Sequence, residues 1–170
     1  MIDKVEDFRI LTPEGDALPL KNNSGKSTFG IKWRYQGDEH VMDCGYAIQA
    51  VPLPESDGFL IVYPYFHKAP MNPPDNAAIY NADGTLRFRL KAPNPLSRHW
   101  PGYVHTPEQI EKSAPEGFWQ VGWGCGDGIT DIYRPWMWAN IGLHCDVYER
   151  RYFDPKTGEF DLEHYSTARR

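Results

Sequence analysis

The residues in this chain that could do chemistry are a cysteine set among glycines, a scatter of histidines, and a short run of alternating carboxylates. Gly122, Gly124, Gly126 and Gly128 recur at every second position around Cys125. Alternating glycines bare one side of a strand, so that a ligand or another backbone can come close. The pattern admits a binding floor, or a thiol site built on Cys125 that uses His99, His105 or His144 as its base. A nucleophilic thiol needs such a base and a depressed pKa. Cys125 instead alternates with Trp119, Val121 and Trp123, an apolar set in which a thiol is inert. A bend or bulge in a curving sheet explains the glycines without a ligand, and is favoured.

The histidines are His40, His67, His99, His105, His144 and His164. No pair has the i, i+2 strand spacing or i, i+4 helix spacing of a common metal site. The cysteines, Cys44, Cys125 and Cys145, form no CxxC pair and no even-numbered framework. Gly25-Lys26-Ser27-Thr28 has the tail of a phosphate loop, but the glycine required five positions earlier is Leu20. No catalytic residue, metal or cofactor is therefore assigned.

The carboxylates point elsewhere. Glu159, Asp161 and Glu163 alternate with Phe160 and Leu162, which predicts three acids on one strand face. Such a face suits a basic protein partner, because charge complementarity speeds association. Trp100 and Tyr103 lie in a proline-rich crossover, and Trp136 and Trp138 follow Pro135. Exposed Trp and Tyr anchor interfaces. The predicted partner-binding set is thus Glu159, Asp161, Glu163, Trp100, Tyr103, Trp136 and Trp138.

Composition bounds the function classes. A net charge of −5 argues against nucleic acid, which needs clustered cations. The first ten residues carry Asp3, Glu6 and Asp7 and no apolar core, unlike a secretory signal. No apolar stretch reaches membrane-spanning length. The expectation is a cytoplasmic protein with a protein partner, of one domain spanning residues 1–170.

The elements that must position these residues are mostly strands. In residues 77–90, Asn81-Ala82-Asp83-Gly84 joins two short strands, with Leu86, Phe88 and Leu90 inward and Arg87, Arg89 and Lys91 outward. Phe29, Ile31, Trp33 and Tyr35 share one face of a long hairpin with Met42, Cys44, Tyr46 and Ile48. Residues 59–66 are nearly all apolar, as in a strand covered on both faces. Thr106-Pro107-Glu108-Gln109 starts a short helix. Residues 129–133 read as strand. With aromatics at 14% and 15 prolines, the fold class is mainly β, a single antiparallel sheet system (sandwich or strongly bent sheet) with one short helix.

Residues 79–90 read Ile-Tyr-Asn-Ala-Asp-Gly-Thr-Leu-Arg-Phe-Arg-Leu. This stretch resembles a hairpin common in bacterial proteins encoded beside polymorphic toxins, many of which are small cytosolic immunity proteins. The resemblance implies a compact, acidic, non-enzymatic protein that binds and neutralises a cognate toxin domain. It supplies no active-site residues. Two alternatives stand beside it. One is a small-molecule-binding β-protein or hydrolase with its site near Gly124 and Asp127. The other is an assembly subunit with a self-complementary surface.

Overall fold

The apolar run predicted to be covered on both faces forms the centre of the molecule. β5 (Gly58–Val62) is buried at every position. Phe59 and Ile61 pack with Ile31, Trp33, Ile48 and Tyr80, whereas Leu60 and Val62 pack with Ile79, Leu90, Phe118 and Met137. One strand thus serves two cores, which is why its sequence does not alternate. Pro64 falls just beyond β5, where its missing N–H costs no ladder bond. The computed structural model describes residues 3–20, 27–66, 68–102, 104–124, 128–132, 135–144 and 146–169.

Two antiparallel sheets enclose the second core. The first comprises β1 (Glu6–Leu11), β2 (Ala17–Pro19), β3 (Thr28–Tyr35), β4 (Asp38–Pro52), β5, β6 (Ala77–Asn81) and β7 (Leu86–Leu90), ordered β2-β1-β3-β4-β5-β6-β7. The other holds β8 (Gly117–Gly122), β9 (Met137–Gly142), β10 (Val147–Phe153) and β11 (Phe160–Arg169), ordered β11-β10-β9-β8. The short helices are α1 (Pro107–Glu111) and α2 (Gly128–Ile132).

The first sheet bends within β4. The start of β4 pairs with β3, and its last four residues pair with β5. Between them the register slips, Gly45 takes φ 71°, and the Asp43 carboxylate accepts from the Gly45 amide at 3.0 Å. Bulges of this kind kink a strand. The bend lays the β3–β4 hairpin over β5 and β6. Trp33 then sits 4.8 Å from the Phe59 ring, and its Nε1 donates to the Ala82 carbonyl at 2.8 Å. Cys44 is a partly buried free thiol on the inward side of β4. Burial, then the Asp43 charge, push its pKa up, so it packs as a small apolar residue.

The mainly β, antiparallel and bent architecture agrees with the sequence. Four details differ. Residues 129–132, expected as strand, lie in α2, where Thr130 Oγ1 accepts from the Gly124 amide at 2.9 Å. Leu86, expected inward, is 49% exposed, because the β6–β7 ladder slips beside Tyr80 and leaves it at the hairpin mouth. Arg87, expected outward, is mostly covered. It donates to Asn81 Oδ1 and the Asp57 carbonyl, both at 2.7 Å. Trp119 and Val121, expected on one face, are separated by a bulge between Phe118 and Gln120. The α1 start is as predicted, with a capping box between Thr106 and Gln109.

Two sets of side chains join the layers. The Asn76 amide donates to the Tyr63 and Phe118 carbonyls at 2.7 and 3.1 Å, and its Oδ1 accepts from the Phe118 amide at 2.8 Å. Gln49 Nε2 donates to the Trp119 carbonyl at 2.5 Å. On β10, Glu149 and Arg151 form an ion pair at 3.1 Å, each only 1% exposed. Glu149 accepts from the Leu96 and Ser97 amides, and Arg151 donates to the Asn94 and Asp161 carbonyls. This pair pins the proline-rich crossover to the second sheet.

Candidate functional site

The outer face of the second sheet gathers the residue types that dominate protein interfaces. Register places Gly122 opposite Trp138 and Gln120 opposite Asn140, with Asn140 opposite Arg150 in turn. Trp138 lies flat across Gly122. A Cβ on that glycine would stand 2.6 Å from the indole, so only glycine admits the ring. Arg150 stacks over the Trp138 ring, its guanidinium carbon 4.1 Å from the centroid. Arg150 Nε donates to Asn140 Oδ1 at 3.0 Å, and Asn140 Nδ2 donates to Gln120 Oε1 at 3.0 Å. Alongside, Trp119 covers Gly142 and meets Tyr148 at 6.1 Å between centroids. Trp119, Trp138, Tyr148 and Arg150 are all half-buried, so each is held yet keeps surface to offer a partner.

Of the predicted aromatics, Trp138 belongs to this face and Trp136 is half-buried just before β9. Trp100, expected to be exposed, is not. It is 1% exposed, donates to Ser97 Oγ at 3.2 Å, and packs with Ile110, Leu143 and Val147. A rotamer-rich crossover with five prolines reads as surface, but the Glu149–Arg151 pair folds it inward. Tyr103 lies outside the described residues.

The three carboxylates do not share a face. The β10–β11 ladder jumps from Phe153 opposite Phe160 to Arg151 opposite Tyr165, so four residues of β11 bulge out opposite one of β10. Asp161 turns back to organise that bulge. Its Oδ1 accepts from the Glu163 and His164 amides at 2.6 and 2.8 Å, and its Oδ2 lies 3.1 Å from His164 Nδ1. Partial burial acts to raise the Asp161 pKa, but these amides and the imidazole outweigh it and hold the carboxyl below its usual range. Glu159 and Glu163 remain exposed, at the preceding turn and in the bulge, with Leu162 between them 75% exposed.

The thiol and histidine alternatives gain no geometry. Cys125, Gly126 and Asp127 lie outside the described residues. His105 sits edge-on to Trp100 at 5.3 Å and to His144 at 6.0 Å. Among the described residues, no three His, Cys, Asp or Glu side chains converge to hold a metal. A cleft of about 910 Å³ opens between the sheets beside Gln49, Asn76 and Trp119, and neither Gly124, His99 nor His105 lines it.

Sequence reasoning named Trp138 and did not name Trp119, Tyr148, Arg150, Gln120 or Asn140, which the sheet register places around it. The usable signal was the pairing of glycine with tryptophan. Gly122 and Gly142 are the vacancies that Trp138 and Trp119 fill, and neither half means much alone.

No protein-family model and no curated protein matches the chain. Its fold is similar to that of a chain in the solved structure of Tne2 in complex with Tni2. The likeness has a TM-score of 0.60 at 13% identity, covering 98% of this chain and 99% of that one.

Proposed function

We infer that this chain is a cytoplasmic immunity protein that neutralises a bacterial toxin domain by direct binding. The observation that carries the reading is the likeness of fold, nearly end to end, to a chain solved in a two-protein complex. The hairpin at residues 79–90, which resembles those of immunity proteins, supports it from the sequence. The binding surface in this reading is the outer face of the second sheet, with Trp138, Trp119, Tyr148 and Arg150 at its centre. Trp, Tyr and Arg are the residues in which interface energy concentrates. Trp136 adjoins it, and exposed Glu159 and Glu163 form an acidic margin.

The test is calorimetric titration of the purified chain with the product of the gene encoded beside it. Wild-type protein binds tightly, and Trp138→Ala weakens binding by about 100-fold, in the range of an interface hot spot, while the circular dichroism spectrum is kept. No binding by the wild type sinks the reading. Wild-type affinity in the Trp138 variant moves the surface elsewhere.

A further inference from the structure

The bulge that bends β4 also opens a pocket. Thr28 pairs with Ile48 and Gly30 with Asp43, so residues 44–47 lie opposite Phe29 alone and leave the ladder. Cys44 and Tyr46 pack against the first core. With Met42, Tyr63, Phe66 and Pro70 they wall a cavity of about 490 Å³, a volume in the range of small-molecule sites. The Tyr46 and Phe66 rings meet at 5.0 Å between centroids, so the wall is largely aromatic. One cation and one anion, Lys68 and Asp43, join the lining from exposed positions, so it selects no net charge.

At this pocket the hydrogen bonds do not close. The Tyr63 and Tyr80 hydroxyl oxygens lie 2.6 Å apart in the core. Two hydroxyls carry two protons, and the bond between them uses one. Among the described residues, neither hydroxyl has another hydrogen-bond partner. Tyr63 is 3% exposed. Burial first, then the bond to Tyr80, push its pKa up, so it stays a protonated donor. Tyr63 lines the pocket and Tyr80 does not. With Tyr80 donating, the Tyr63 proton is left to serve the pocket, and a buried donor left unserved is costly. Aromatic walls and one such donor define the occupant. We propose that this pocket binds a small, uncharged, planar aromatic molecule, its ring against Met42, Tyr46 and Phe66 and a single acceptor oxygen on the Tyr63 hydroxyl. The site belongs to the first sheet, not to the Trp138 face, and stands independently of the toxin reading.

Acetophenone and ethylbenzene test it, because they share a shape and differ in the carbonyl oxygen. Each is titrated into the isotope-labelled chain while backbone amide shifts are followed by NMR. Acetophenone is expected to shift the Cys44, Tyr46 and Phe66 amides with a Kd below about 1 mM. Ethylbenzene binds at least about tenfold more weakly, for want of the hydrogen bond. Tyr63→Phe keeps the ring, removes the hydroxyl and brings the two ligands within about twofold of each other. The comparison in wild type needs no variant: equal affinity for the two ligands there overturns the proposal. So does an absence of saturable shifts, a set of shifts that maps elsewhere, or a preference for acetophenone that survives in Tyr63→Phe.

Discussion

The two ends of the second sheet handle the same problem in opposite ways. At β8 the unpaired backbone is met from the neighbouring layer: Asn76 supplies a donor and an acceptor to Phe118, much as another strand would. At β11 the side chains work along the strand. Asp161 and Arg151 hold a bulge outward, and Tyr165 and Ser166 just beyond it are exposed. The contrast separates two uses of polar side chains in a β-protein. One finishes a sheet. The other shapes an edge and sets which side chains it shows to solvent. The first is a matter of stability, because a buried amide left without a partner costs about 1–3 kcal/mol. The second is a matter of what the molecule can meet.

Three changes break or sharpen this contrast. The largest effect falls at Arg151, whose guanidinium serves both the bulge and Glu149. Arg151→Met leaves Glu149 charged and buried without its cation and destabilises the fold by about 4 kcal/mol, read as a shift in the urea midpoint. A loss below about 1 kcal/mol would mean the pair is a surface one in solution. Asn76→Leu comes next, at about 3 kcal/mol, because Phe118 and Tyr63 lose their partners together. It also opens β8, so the variant should aggregate on mild heating where wild type does not. Clean, reversible melting in that variant would show that Asn76 does not guard the edge.

The smallest effect is the pH response of the bulge. The folded pKa of Asp161 is depressed, so its contribution is complete above the unfolded value of about 4. It is lost as pH falls through the lower folded value. Wild type should lose about 1 kcal/mol more than Asp161→Asn between pH 5 and acid conditions below about pH 3, measured by urea unfolding. Parallel curves for the two proteins would remove Asp161 from the account.

How far each feature was legible follows from the range of the forces behind it. The β6–β7 hairpin, the α1 cap and the doubly covered β5 were readable because neighbours in sequence fix them. The Asn81–Gly84 turn closes on itself, with the Gly84 amide donating to the Asn81 carbonyl at 2.9 Å. The β11 bulge was not readable. Alternation at Glu159, Asp161 and Glu163 is a sound rule until one acid finds a better use, and the Asp161 carboxylate gained two amides by breaking it. Glu149 was missed for a related reason. Between Tyr148 and Arg150 it looks like an exposed strand charge, and only the distant Leu96 and Ser97 amides explain its burial. Trp138 stood out by residue type, but its surroundings did not, because Gly122 and Arg150 come to it from β8 and β10.

β5 sets how the molecule comes apart. Its odd-numbered side chains belong to one core and its even-numbered ones to the other, so neither core can melt while the other keeps its full complement. Heat or denaturant should therefore produce a single cooperative transition. The amide protons of Leu60 and Ile61 should exchange with solvent only when the whole chain opens.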